Sequence, residues 1–144
     1  MRIRTTPLFL SVAGVLAVGG CGGDSTSPKA LDYTGRYPLI SVDGGTLPLV
    51  LHDDQTLKLT LTDGALTLNA NASFTEDIRI EVVANGFPSA PELLSCGGSY
   101  ERNGNTFTLT GTATANCDAS TATGTLVGKT LTVEDQGQIL VFRR

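Results

Sequence analysis

The sequence has little of what catalytic sites are commonly built from. It contains no tryptophan and a single histidine, His52, and charged residues make up only 17% of its 144 residues. His52 is followed by Asp53 and Asp54, but one imidazole beside two acids lacks the spaced ligands of a zinc site, and the chain has no second histidine to act as a base. We therefore expect an exposed turn at this position, no metal, no cofactor and a chain that is not an enzyme.

Positive charge is also scarce. The chain has 10 Lys and Arg residues against 14 Asp and Glu residues, and a formal net charge of −4. Contacts from Lys and Arg to phosphates supply most of the affinity of proteins for nucleic acid. The acidic balance, without a basic cluster, argues against a nucleic-acid partner.

No apolar run is long enough to span a bilayer. The longest, Leu8–Val18, would reach roughly 17 Å as a helix, whereas the hydrocarbon layer is about 30 Å thick. It follows Arg2 and Arg4 and precedes small residues. This order of basic, apolar and small residues is typical of a secretory signal peptide.

The residues that end this segment, Val18-Gly19-Gly20-Cys21, resemble the lipobox of bacterial lipoproteins, in which the cysteine becomes the lipid-modified first residue. The resemblance implies a signal peptide over residues 1–20 and a lipidated flexible tether over residues 21–32, with the membrane as partner. Gly22 is not the aspartate that retains enterobacterial lipoproteins in the inner membrane. The resemblance therefore implies the outer membrane of the bacterial cell envelope, on its periplasmic or surface face. The alternative is an ordinary cleaved signal with an incidental cysteine.

Apolar and polar residues alternate with a period of two through most of residues 33–144, as in Thr56–Thr62 and Ser73–Val83. Such alternation is typical of strands with one buried and one solvated face. The inward-facing set that it predicts is Leu57, Leu59, Leu61, Leu66, Leu68, Phe74, Ile78, Ile80, Phe107, Leu109, Leu131 and Val133.

Turn-forming dipeptides separate the alternating segments, and we find no convincing helical periodicity. We therefore predict an all-β fold over residues 33–144, with about eight to ten short antiparallel strands closed into a single up-and-down barrel or a sandwich. The predicted turns are Asp43-Gly44, Asp63-Gly64, Asn103-Gly104, Gly128-Lys129 and Gly137-Gln138.

Two cysteines, Cys96 and Cys117, lie within the predicted barrel. An isolated pair in an exported chain predicts a disulfide, which would contribute about 3 kcal/mol to stability by the chain-entropy model. The alternative is two free buried thiols.

Several segments resemble the lipocalin-like domains of small bacterial lipoproteins, among them YTGRYPLISVDGGTLP at residues 33–48, GSYERNGNTFTLTG at 98–111 and ILVFRR at 139–144. Gly35 and Tyr37 stand where lipocalins carry Gly-x-Trp. Arg143, or its neighbour Arg144, stands where lipocalins place an arginine over that aromatic ring. The resemblance implies a lipocalin-like barrel closed by Gly35, Tyr37 and Arg143.

The resemblance also implies a non-catalytic module that binds a small apolar ligand and acts as a monomer, although the sequence identifies no ligand-binding residue. Glu76 occupies a position of its predicted strand whose side chain should point inward. Because burial of an unpaired carboxylate is costly, we expect it to lie either at the barrel rim or facing a ligand. The bulky inward set favours a mostly filled interior. This leaves a second hypothesis, a structural or inhibitor-type envelope protein that binds other proteins through two predicted loops, Asn85–Ser95 and Ala113–Ala119.

The lipidation hypothesis predicts that cells expressing the chain incorporate labelled palmitate into it, because Cys21 carries the acyl groups. The Cys21→Ser variant should incorporate none, and Cys96→Ser should be labelled as strongly as the unaltered chain. Equal labelling of the Cys21→Ser variant would contradict the assignment.

Overall fold

A computed structural model describes residues 33–144, which form one antiparallel sheet of eleven strands. The predicted signal peptide, the predicted tether and Cys21 lie outside the described residues. The strands are β1 Gly35–Val42, β2 Gly45–Thr46, β3 Leu49–Asp53, β4 Leu57–Leu68, β5 Ser73–Ala84, β6 Phe87–Pro88, β7 Glu92–Asn103, β8 Thr106–Gly111, β9 Thr121–Val127, β10 Thr130–Asp135 and β11 Gln138–Arg143.

Eight of these strands close into a barrel, in the order β1-β11-β10-β9-β8-β7-β5-β4. The sheet closes on itself because β1 pairs with a strand on each of its two sides. On one side it pairs with β11, where Leu39 lies opposite Phe142, and on the other side it pairs with β4, where Tyr37 lies opposite Leu66. The short strands β2, β3 and β6 pair with β1, β4 and β5 respectively. The predicted all-β, up-and-down barrel is confirmed.

The prediction of a turn at Asp63-Gly64 was wrong, because β4 runs straight through it. The register of β4 against β5 shifts between Leu61 and Asp63, which marks a bulge. The bulge explains why the leucines of β4 fall on odd positions up to Leu61 and on even positions from Leu66. A Cβ atom at Gly64 would lie 2.9 Å from Cδ2 of Leu39, so the glycine permits a close approach rather than a turn. Asp43-Gly44 and Gly128-Lys129 connect consecutive strands as predicted, whereas the other two turns are displaced by one residue, to Gly104-Asn105 and Gln136-Gly137.

Aromatic rings close the end of the barrel at which β1 begins. The rings of Tyr33, Tyr100 and Phe107 contact one another, with centroids 5.7–6.3 Å apart. The guanidinium of Arg102 lies 4.2 Å from the centroid of the Tyr33 ring. The Tyr37 hydroxyl donates a hydrogen bond to the Tyr33 carbonyl at 2.7 Å. This end therefore combines packed rings with satisfied polar groups.

The arginine that covers Tyr37 is Arg144, which corrects the assignment of this role to Arg143. The Cζ atom of Arg144 lies 5.2 Å from the centroid of the Tyr37 ring, and its Nη1 donates a hydrogen bond to the Thr34 carbonyl at 2.6 Å. Side chains alternate along β11, and Phe142 points inward, so Arg143 points to the outer face. There its Nε donates a hydrogen bond to Thr130 Oγ1. Gly35 has φ +126°, a backbone conformation that residues with a Cβ atom rarely adopt, and Nη1 of Arg144 lies 3.6 Å from where that Cβ atom would be.

Two leucines test whether the closed interior carries the stability of the fold. Leu131 is 0% exposed and Leu93 is 60% exposed. We expect Leu131→Ala to lower the free energy of unfolding by about 2–5 kcal/mol, because it leaves a cavity in the core. Leu93→Ala should change it by no more than about 0.5 kcal/mol. Urea unfolding of the two variants measures both values, and equal losses would contradict the assigned interior.

Candidate binding site

The end of the barrel opposite the aromatic rings contains a cavity of about 270 Å³ that is open to solvent on one side. Strands β8 and β10 end at this opening, where β9 and β11 begin. Its apolar wall comes from five strands of the barrel. The side chains of this wall are Leu66, Phe74, Ile78, Leu109, Val133, Leu140 and Phe142.

The cavity exists because several inward positions at this end carry small residues. Gly97, Gly111, Ser120 and Ala122 all line it, whereas large rings occupy the other end. The sequence predicted a mostly filled interior from its bulky residues alone. The inward position of Ala122 follows from its pairing with Leu109 and from the alternation along β9, in which Ala122 and Gly124 are buried. The interior is therefore filled at one end and hollow at the other.

Glu76 is one of the residues that line this cavity. It lies on β5 between Phe74 and Ile78, opposite Leu66 on β4 and Cys96 on β7. Burial raises the pKa of its carboxyl group above the ordinary value, and the negative charges of Asp135 and Asp77 raise it further. The structure thus places a carboxyl group in the cavity wall, among apolar neighbours.

Two further carboxylates line the same cavity, Asp118 from the β8–β9 connection and Asp135 from the end of β10. The Oδ1 atom of Asp135 is buried and accepts no hydrogen bond from any of the described residues. No Lys, Arg or His side chain is among the residues that line the cavity. Sequence reasoning missed both aspartates. Asp118 lies in a connection, where alternation gives no direction, but Asp135 follows Leu131 and Val133 at alternate positions of β10, and this signal could have identified it as inward-facing.

The predicted disulfide between Cys96 and Cys117 is present and forms part of the cavity wall. It joins β7 to the connection between β8 and β9, with 5.8 Å between the Cα atoms. The same connection is held by a hydrogen bond from the Thr112 amide to the Gly97 carbonyl at 2.9 Å. The covalent link therefore fixes the segment that carries Asp118 at the edge of the cavity.

His52 lies in β3 and Asp54 begins the turn between β3 and β4, so the predicted turn starts only at Asp54, and neither residue lines the cavity. Asp54 Oδ1 accepts hydrogen bonds from the amides of Thr56 and Leu57 at 2.7 Å, and His52 Nε2 lies 2.8 Å from Oδ2. The Thr56 amide contributes most to holding the pKa of Asp54 well below its ordinary range, followed by His52. The cluster thus stabilises a solvent-exposed turn. Within residues 33–144 no group of three or more His, Cys, Asp or Glu side chains is placed to bind a metal ion.

Comparison with known proteins gives no family assignment. No protein-family model matches the chain, and no curated protein matches it. Within the part of the chain that the structure describes, no helix is long and apolar enough to cross a membrane. The candidate site is therefore defined by geometry alone: a half-open cavity with an apolar wall and three carboxylates.

The raised pKa of Glu76 predicts a pH-dependent effect of Glu76→Gln. In the unfolded chain a glutamate has a pKa of about 4.3, and in the folded chain the pKa of Glu76 is higher. The folded state therefore holds the proton more tightly, and this stabilises the fold when the pH is below the unfolded pKa. The stabilisation is lost as the pH rises through the folded pKa. The neutral glutamine does not suffer this loss. Glu76→Gln should therefore be more stable than the unaltered chain at about pH 8, and its advantage should shrink towards about pH 4.

Urea unfolding at the two pH values measures this difference. Glu81→Gln is the matched control, because Glu81 lies exposed on the same strand. Its difference from the unaltered chain should stay nearly constant with pH. An advantage of Glu76→Gln that grows towards acid pH would contradict the burial of the Glu76 carboxyl group.

Proposed function

We propose that this chain is a non-catalytic binding module, a lipid-anchored protein of the bacterial envelope whose barrel takes up one small apolar molecule. The observation that carries the proposal is the cavity of about 270 Å³, which has an apolar wall and opens at one end of a barrel whose other end is packed with aromatic rings. Concave, mostly apolar cavities with a few polar groups are the usual form of small-molecule sites.

The volume limits the size of the ligand. A cavity of about 150 Å³ holds one benzene molecule, whereas sites for drug-sized molecules measure about 300–1,000 Å³. A cavity of about 270 Å³ therefore suits a compact molecule with about ten non-hydrogen atoms. A long acyl chain would extend beyond it into solvent.

The entry point of the chain supports anchoring with the cavity exposed. Gly35 begins β1 at the end closed by the aromatic rings, whereas β10 ends at the cavity. A lipid anchor attached ahead of residue 33 would join the barrel at this closed end, opposite the opening of the cavity. Support for a non-catalytic role comes from His52, the sole imidazole of the sequence, which lies outside the cavity wall.

Binding is tested with a compact neutral probe, cyclohexylmethanol, titrated into the purified full chain and followed by amide NMR shifts. We expect saturable shifts at residues that line the cavity. Ala122→Leu should weaken binding at least about tenfold, a difference of about 1.4 kcal/mol, because the larger side chain occupies the cavity. Ala119→Leu, an exposed position in the β8–β9 connection, should leave the affinity unchanged.

Two results would contradict the proposed function. One is the absence of any saturable shift at the residues that line the cavity. The other is equal affinity in the Ala122→Leu variant, since the probe would then bind somewhere else.

A second candidate function, binding to another protein, is favoured by exposed apolar residues at a sheet edge. Phe87 is 75% exposed and Leu93 is 60% exposed. The segment Asn85–Ser95 was predicted as a loop, but Phe87–Pro88 forms β6 and Glu92 begins β7, so the segment is partly an edge of the sheet. Pull-down from envelope extracts with the unaltered chain and Phe87→Ser tests this role, and identical partners in both would argue against it.

A further inference from the structure

We infer that the molecule bound in the cavity carries a positively charged amino group, which Glu76 and Asp135 bind while its apolar part occupies the cavity. This inference rests on the proposed binding function and specifies the class of ligand. It follows from the charge of the cavity wall, in which the polar side chains are three carboxylates and the neutral groups of Thr112, Ser120, Gln136 and Gln138.

The charges at the cavity are of one sign. Glu76, Asp118 and Asp135 line it, and no basic side chain does. The two ion pairs found within residues 33–144 are His52–Asp54 and Lys58–Asp53, so neither of them neutralises a cavity carboxylate. A bound cation would supply the opposite charge that the protein does not place there.

Asp135 provides an observation that is independent of the charge count. A buried oxygen atom that accepts no hydrogen bond loses its hydration without compensation, and this loss is larger for a charged group than for a neutral one. Oδ1 of Asp135 is such an atom, in a residue that lines the cavity. An ammonium group has three N–H donors and no acceptor, so it matches an acceptor-only carboxylate.

The apolar wall determines the rest of the ligand. Phe74, Ile78, Leu109 and Val133 offer no polar atom to a guest, so a bare ion would leave most of the cavity unused. Moreover, the carboxylates do not converge with other ligands into a metal site within the described part of the chain. The arrangement therefore fits a compact apolar amine of about ten non-hydrogen atoms rather than a metal ion or a fatty acid.

The test compares three probes of nearly equal shape: cyclohexylmethylamine, cyclohexylmethanol and cyclohexanecarboxylate. Each is titrated at neutral pH into the purified full chain, and the amide shifts of the cavity residues are followed by NMR. We expect the amine to bind about tenfold or more tighter than the alcohol, because hydrogen bonds to charged groups are stronger than neutral ones. The carboxylate should bind most weakly, since it meets charges of its own sign.

Two variants locate the charge that matters. Glu76→Gln and Asp135→Asn preserve volume, and each should lower the affinity for the amine about tenfold while leaving the affinity for the alcohol within about twofold. Glu81→Gln, an exposed position on β5, removes the same charge away from the cavity and should leave both affinities unchanged. If one cavity variant does not fold, the other still gives the comparison.

The possible outcomes separate this inference from the proposed function. Alcohol binding that equals or exceeds amine binding overturns the inference and leaves the proposed function standing. Shifts caused by calcium chloride at the same residues, without shifts from the amine, also overturn it. If none of the three probes binds, the proposed function and the inference fail together.

Discussion

The fold depends on one strand that is hydrogen-bonded along both of its edges. Strand β1 pairs with β11 through Leu39 and Phe142 and with β4 through Tyr37 and Leu66. Without the pairing of β1 with β4, the sheet would have two free edges. Water would then reach its apolar inner face through the opening between β1 and β4. With this pairing, the inward side chains of eight strands share one interior, and access to that interior is possible only at the two ends of the barrel.

The two ends differ in the size and charge of their side chains. At the end where β1 begins, aromatic rings fill the interior, and Arg102 and Arg144 lie over the rings of Tyr33 and Tyr37. At the other end, glycine, serine and alanine leave the cavity open, and the charged groups that line it are carboxylates without basic partners. This asymmetry gives the molecule one closed end and one open end. It is the physical basis of the proposal that the cavity binds a ligand and of the inference that the ligand is a cation.

Most of the fold could be predicted from the sequence because alternation and turn chemistry are local properties. The leucines of β4, the threonine-rich strands and the pair Cys96–Cys117 all follow from them. The prediction of a turn at Asp63-Gly64 was wrong because the same residue types occur in bulges and in turns. The sequence distinguishes the two only through the leucines of β4, which change from odd to even positions across the bulge. Arg144 and Asp118 lie outside the strands, so only the closed sheet determines what they face, whereas the alternation along β10 gives the inward direction of Asp135 but not its neighbours. The cavity is formed by residues from many strands, so no local sequence pattern predicts it.

The most direct test of the account is the pattern of cross-strand NOEs from β1 in the full chain. The closed barrel predicts that one sample shows contacts from Tyr37 to Leu66 on β4 and from Leu39 to Phe142 on β11. Both sets should be present at once, with intensities typical of neighbouring strands. If β1 shows NOEs to β11 but none to β4, the sheet is open, and the single interior with its one open end does not exist.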